Sequence, residues 1–131
     1  MKNYIFIALR VLVSVILLQT LFYKFSAHQD SVFIFTQAGM EPWGRIGIGV
    51  LELIASALLF LPRKIWLGAG LASGLMSGAV FMHITMLGIE VNSDGGLLFY
   101  TAVLTLILSL IILWNHKNDI PFFDYTVKLL L

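Results

Sequence analysis

The chain of 131 residues lacks cysteine entirely and has few charged residues. The absence of cysteine excludes a disulfide framework, a thiolate nucleophile, an iron–sulfur cluster and a CxxC redox pair. Charged residues make up 11% and hydrophobic residues 60%, whereas soluble domains have about 25% and about 45–50%. A net charge of +1 gives no basic field for nucleic acid. The composition therefore indicates one small integral membrane domain.

Four apolar segments are long enough to cross a bilayer, since a spanning helix needs about 20 residues. The breaks between them contain turn and breaker residues at Pro42, at "PRK" (62–64) and at "NSDGG" (92–96). The first segment resembles a secretory signal in position, but its length and Arg10 disfavour that alternative. The sequence predicts an all-α membrane protein, a four-transmembrane-helix bundle within residues 1–117. The predicted spans cover about 4–25, 44–61, 65–89 and 97–114.

Two segments lie outside the predicted spans. The mixed pattern of residues 28–39 predicts a short outer interfacial helix between the first two spans. Residues 118–131 are predicted to form a cytoplasmic tail, which either lies flat on the inner surface or is a loosely ordered terminus. Both alternatives for the tail remain open.

Lysine and arginine near the span ends predict the orientation of the bundle. With four spans, both termini and the 62–64 turn share one side. Five cations fall on that side and two on the other, so the termini are predicted to be cytoplasmic and the protein to be multi-pass in the cell (inner) membrane. The five are Lys2, Arg63, Lys64, Lys117 and Lys128, and the two are Lys24 and Arg45.

Glu52 is an ionisable residue near the middle of an apolar run. A charge at that depth costs several kcal/mol, about 3 on insertion scales, and usually has a partner. Helix geometry puts Glu52 roughly 12 Å and His83 roughly 10 Å below the outer helix ends. Arg10 is predicted to reach Glu52 from the opposite side. The candidate ligand or proton site comprises Glu52, His83, Arg10, Thr101, Thr105 and Tyr100, and Lys24, Arg45 and Glu90 are predicted to ring its outer mouth.

Each of these candidates has a purely structural alternative. A buried Arg10–Glu52 pair could fix helix register and do nothing else. His83 could be a hydrogen-bonded core histidine. Lys24 and Arg45 could be snorkelling anchors at the interface, and the threonines could bond their own backbone carbonyls.

Gly70, Gly74 and Gly78 form a stripe of small residues within the third predicted span. Such stripes let helix backbones approach closely, either inside the bundle or at a homodimer seam. No metal site is predicted, because the histidines and acids lack metal-ligand spacing. With His83 alone inside a span, a haem held by two histidines of one chain is not expected.

Over about the first 115 residues, the order of features resembles the DoxX family of small four-helix membrane proteins. The relevant stretches are Arg10, "LFYKF" (21–25), "AGMEP" (38–42) and "GVLELIASALLFLPRK" (49–64), with Glu52 at the family's Gly-x-x-Glu position. The resemblance implies a redox-associated membrane protein. Some members are related to a subunit of a thiosulfate:quinone oxidoreductase, and related eukaryotic proteins are assembly factors or cargo receptors.

Two functional hypotheses follow from the sequence. In the first, the protein is a subunit of a membrane oxidoreductase that binds a quinone or similar lipid, with Glu52 or His83 exchanging protons with its headgroup, since imidazole titrates near neutral pH. Electrons would then come from a partner protein. In the second, the protein is a non-enzymatic accessory or assembly subunit that packs against a partner membrane protein or a second copy of itself.

Overall fold

The structure, a computed structural model, describes residues 2–120, with side chains from Tyr4 onward. This part of the chain is helical and contains no strand, which confirms the all-α prediction. The helices are α1 (Lys2–Phe25), α2 (Gln29–Gln37), α3 (Trp43–Leu58), α4 (Ile65–Met82) and α5 (Leu97–Asn115), with a π-helical turn at His83–Leu87 and a 3₁₀ turn at Lys117–Asp119.

Within residues 2–120, three helical stretches are long and apolar enough to cross a membrane: Tyr4–Phe25, Ile65–Leu87 and Leu97–Asn115. They correspond to three of the four predicted spans. The remaining predicted span corresponds to α3, which has 16 residues and is therefore about 24 Å long. After the Leu59 N–H, which still bonds Ala55, the N–H groups of Phe60 and Leu61 bond carbonyls only three residues back, so the α-helix ends at Leu58.

The four long helices pack in the cyclic order α1, α3, α4, α5. One end of this arrangement carries α2 and residues 88–96, and we call it the α2 end. The opposite end carries the start of α1, the turn at Arg63 and the end of α5, and we call it the Arg63 end. Between them lies a core of aliphatic side chains and alanines, among them Leu17, Ala55, Ala69, Ala72 and Ile112.

Gly68 is the glycine that lets two of these helices approach closely. A Cβ atom added there would lie 2.8 Å from the backbone nitrogen of Leu59 and 2.9 Å from the carbonyl oxygen of Ala55. Backbone atoms cannot move aside as a flexible side chain does, so α3 and α4 depend on the missing side chain at this point.

The structure corrects the prediction that the glycine stripe packs inside the bundle, while its use as a homodimer seam stays a prediction. A Cβ atom added at Gly70, Gly74 or Gly78 would meet no atom within 4 Å. The stripe points into open space because the face of α4 that carries Gly68 is the one that meets α3. Spacing alone does not distinguish these two faces, since both have small residues.

The predicted interfacial helix corresponds to α2, which buries Ser31 and Phe35 and exposes Phe33. Its placement in the headgroup zone stays a prediction. The predicted tail begins within the 3₁₀ turn at Lys117–Asp119, and its residues 121–131 lie outside the described part of the chain.

Candidate functional site

Glu52 is fully buried on α3 and forms an ion pair with Lys24 from the last turn of α1. The lysine Nζ lies 2.6 Å from one carboxylate oxygen. The hydroxyl of Thr20, one turn before Lys24, donates a hydrogen bond to the other oxygen. Lys24 and Thr20 thus approach the two oxygens from one face of α1, and the ammonium charge offsets the cost of a carboxylate in hydrocarbon.

The predicted Arg10–Glu52 pair is wrong. Arg10 donates a hydrogen bond of 2.9 Å to the carbonyl oxygen of Leu59, just past the end of α3. Its guanidinium carbon lies 5.8 Å from the centre of the Phe60 ring. The last carbonyls of a helix lack intrahelical donors and carry partial negative charge, so they attract a guanidinium.

Side-chain direction explains why Lys24 and not Arg10 reaches the carboxylate. Helical side chains lean toward the N-terminus of their own helix. The N-terminus of α1 lies at the Arg63 end, so Lys24 leans inward toward Glu52. Arg10 leans away from Glu52, toward the Arg63 end.

The predicted ring of charge at the mouth is also corrected. Arg45 is buried, and its guanidinium bonds Glu41 with contacts of 2.8 and 2.9 Å and donates to the carbonyl oxygen of Lys24. It therefore fastens the start of α3 to the end of α1. Glu90 is exposed and accepts a bond of 3.1 Å from the N–H of Gly95. Of the three predicted mouth residues, Lys24 alone reaches the site.

A cavity of about 720 Å³ opens at the α2 end, beside the Lys24–Glu52 pair. Its lining is mostly apolar and comes from all five helices. Among the sequence-predicted candidates, Glu52, His83, Thr101 and Lys24 line it, together with Gly74 and Gly78, whereas Arg10, Tyr100, Thr105, Arg45 and Glu90 do not.

His83 begins the π-helical turn and is buried at the cavity wall. Its Nδ1 lies 3.0 Å from the carbonyl oxygen of Gly88, and the Gly88 N–H returns a bond of 2.7 Å to the His83 carbonyl. A carbonyl only accepts, so Nδ1 carries the hydrogen and Nε2 is the ring nitrogen left for another partner. Phe99 holds the ring edge-on at 5.6 Å between centroids.

The hydroxyl stripe on α5 splits between two roles. Thr105 is fully buried and donates a bond of 2.8 Å to the carbonyl of Thr101, which is the structural alternative given above. Thr101 lines the cavity. Tyr100 is exposed and packs edge-on against Phe99 at 5.5 Å.

Asp94 is not among the residues predicted for the site, but it lines the cavity and organises the start of α5. Its carboxylate accepts bonds from the backbone N–H groups of Val91, Gly96 and Leu98, at 2.8 to 3.1 Å. Burial raises the pKa of Asp94, but these bonds and the nearby His83 outweigh it, so the pKa lies below its usual value. The acid before "GG" and an apolar run is a helix-start signal that could have identified it.

Thr20 was also missed by the sequence analysis. Its position four residues before Lys24 puts both on one face of α1, and this spacing is the signal that could have found it.

Comparison of the chain with known protein families, with curated proteins and with solved structures finds no match to any of them.

Proposed function

We propose that the protein is a four-span membrane protein that binds an amphipathic, lipid-soluble ligand such as a quinone in the cavity at the α2 end. The observation that supports this most is the composition of the cavity wall. A mostly apolar surface meets the Lys24–Glu52 pair, His83 and Thr101 in one open cavity. Binding pockets for small molecules commonly have this character, with a few polar groups that orient the ligand.

The polar groups are suited to a headgroup with carbonyl or hydroxyl oxygens. The Lys24 ammonium has three donors, and its Nζ lies 2.6 Å from the Glu52 carboxylate. Nε2 of His83 can accept a hydrogen bond from the headgroup or, once protonated, donate one. The Thr101 hydroxyl can donate or accept a further hydrogen bond. Hydrogen bonds from a charged donor contribute about 1.5–3 kcal/mol each. The apolar wall takes the tail, and electrons come from a partner protein.

Membrane placement with the α2 end outside the cell has support from the charges. The two cations at that end, Lys24 and Arg45, are paired with Glu52 and Glu41 inside the protein. Arg63 and Lys64 are exposed at the opposite end, where the cytoplasmic side favours positive charge. The DoxX resemblance implies the same four-span arrangement, with α3 as the second span.

Single cysteines test this orientation cleanly, since the chain has none of its own. Asn92 and Asn118 are both exposed, at opposite ends. In intact cells, a membrane-impermeant maleimide should label Asn92→Cys and should label Asn118→Cys only after permeabilisation. Labelling of Asn118→Cys from outside would contradict the orientation.

Ligand binding is tested by mass spectrometry of lipid-soluble molecules that copurify with the protein in mild detergent. Gly74 and Gly70 lie one turn apart on α4, and neither has a neighbour within 4 Å of an added Cβ. Gly74 lines the cavity and Gly70 does not. Gly74→Phe should therefore remove a copurifying quinone or similar amphiphile, while Gly70→Phe keeps it. Equal recovery from both variants would contradict binding in the cavity.

The second candidate function is an accessory or assembly subunit. The observation that favours it is the open face of α4 at Gly70, Gly74 and Gly78, which leaves room for a helix of a partner or of a second copy. In that case both phenylalanine variants should lose the partner, because both lie on the stripe. One fixed partner that is lost in both, with no bound amphiphile, would support this alternative over the first.

A further inference from the structure

Each of the four long helices contributes one buried serine to the interior. Ser14 comes from α1, Ser56 from α3, Ser73 from α4 and Ser109 from α5, and each is less than a tenth exposed. Their heights along the bundle can be compared through side-chain contacts between neighbouring helices that run in opposite directions.

On α1 and α5, the Phe6 ring lies 6.4 Å from the ring of His116. Ser14 lies eight residues after Phe6, and Ser109 lies seven residues before His116. Because the two helices are antiparallel and rise about 1.5 Å per residue, both serines are at nearly the same height.

On α4 and α5, the reference contact is His83 with Phe99, at 5.6 Å between ring centroids. Ser73 lies ten residues before His83, and Ser109 lies ten residues after Phe99. These two serines are therefore level as well.

On α1 and α3, the reference contact is the hydrogen bond from Thr20 to Glu52. Ser14 precedes Thr20 by six residues, and Ser56 follows Glu52 by four, so they differ by about 3 Å in height. The four serines thus form one layer, the serine layer, about one helical turn from Glu52 on its Arg63 side.

The hydrogen bonds of this layer are incomplete within the described residues. Ser56 donates 2.9 Å to the carbonyl of Glu52, and Ser73 donates 2.8 Å to that of Ala69. The hydroxyls of Ser14 and Ser109 are buried and have no partner among residues 2–120, and the same holds for Nε of Arg10, one turn below Ser14. Buried polar groups without a protein partner usually bind ordered water.

We propose that the serine layer binds internal water molecules that connect Glu52 with Arg10 through the otherwise packed Arg63 half of the bundle. The steps from Arg10 to Ser14 on α1 and from Ser56 to Glu52 on α3 are each about one helical turn, a distance that one or two waters bridge. The step from Ser14 to Ser56 runs within the layer, between two helices that pack against each other. The route reaches the carboxylate from the side opposite the cavity. It stands on the buried hydroxyls alone and holds whichever ligand the cavity takes.

Such a route gives the buried carboxylate contact with protons from the Arg63 end. A water molecule that donates a proton to Glu52 regains one from the next water molecule. One proton taken up from solvent at the Arg63 end therefore restores the whole row of water molecules. No redox partner is needed. The ligand side of Glu52 and the proton side are then separate, as a proton-linked binding site requires.

The direction of the Tm change in a Ser109→Ala variant tests whether water is bound in the serine layer. If water bonds the Ser109 hydroxyl, Ser109→Ala loses those bonds and should lower Tm by about 4 °C, as about 1 kcal/mol does in a domain of this size. A hydroxyl without bound water would give an unchanged or raised Tm, because alanine avoids the free-energy cost of burying an unpaired polar group. That result would overturn the proposal. Ser77→Ala on the exposed face of α4 is the matched control and should leave Tm unchanged.

A direct measurement is water-edited solid-state NMR of the labelled protein in lipid bilayers. Magnetisation from water should reach Ser14 and Ser109 faster than it reaches Val13 and Ile112, which are equally buried on the same two helices. Equal build-up at the serines and at these apolar neighbours would contradict internal water, whatever the stability data show.

Discussion

The surroundings of buried polar side chains differ between the α2 end and the Arg63 end. At the α2 end, the polar groups line a cavity of about 720 Å³ and pair across helices, as Lys24 does with Glu52. At the Arg63 end, α3 and α4 approach until a single Cβ at Gly68 would meet backbone. The comparison indicates that helix separation decides whether a polar side chain forms a site or is enclosed in packing.

The largest expected effect comes from breaking the charge pair at the α2 end. Glu52→Gln leaves the Lys24 ammonium without its counter-charge and should cost about 3 kcal/mol or more of unfolding free energy. Adding Lys24→Met should recover much of that loss. Denaturation in a mild detergent, followed by circular dichroism, measures both.

Arg10→Met is the matched control for this rescue, because Arg10 bonds Leu59 and not the carboxylate. Combined with Glu52→Gln, it should give no recovery. Recovery by Arg10→Met and not by Lys24→Met would mean that the pairing described above is incorrect.

Alanine substitutions at two glycines of α4 should change the unfolding free energy by smaller amounts and in opposite directions. Gly68→Ala forces a methyl group against backbone atoms and should cost about 1–3 kcal/mol. Gly74→Ala adds its methyl group to open space and should stabilise the helix by about 0.5–1 kcal/mol, the usual advantage of alanine over glycine. Thermal melts of the two variants measure this. Equal changes in Tm would contradict the claim that one face of α4 is packed and the other open.

The smallest effect concerns the cap of α5. Asp94→Ala removes acceptors of three backbone N–H groups and should cost about 1 kcal/mol. Because the folded-state pKa of Asp94 is lowered, its contribution is present above the ordinary aspartate pKa and is lost as pH falls through the lowered value. Asp94→Ala should therefore flatten the loss of stability in acid, and melts of the variant and the wild type over a series of pH values measure it.

The number and order of the long helices could be predicted from the apolar runs and the breaks between them. The apolar runs and the breaks at Pro42, 62–64 and 92–96 mark where helices end, since helix boundaries depend on local sequence. The shorter extent of α3 was not predictable from its apolar run, because residues 59–61 remain apolar beyond the α-helix. There the backbone changes its hydrogen bonding while the hydropathy stays the same.

Several residues of the candidate site could be predicted from the sequence, but most of their contacts could not. Glu52 and His83 were identified because ionisable residues in apolar runs need partners. The wrong partner for Glu52 came from counting depth along each helix while ignoring the lean of side chains toward the helix N-terminus. The prediction that Gly70, Gly74 and Gly78 pack inside the bundle was wrong for a related reason, since spacing does not tell which face of a helix meets its neighbour.

We propose that the Lys24–Glu52 pair belongs to a ligand site and is not only architectural. The most direct test is a titration of purified protein with a benzoquinone that carries a decyl tail, followed by the rise in Tm that binding produces. The double variant Lys24→Met/Glu52→Gln, which keeps the fold without the charges, should bind at least about tenfold more weakly, as loss of one charged hydrogen bond implies. Arg10→Met should bind like the wild type. Wild-type affinity in the double variant would contradict the claim and leave the pair a purely structural contact.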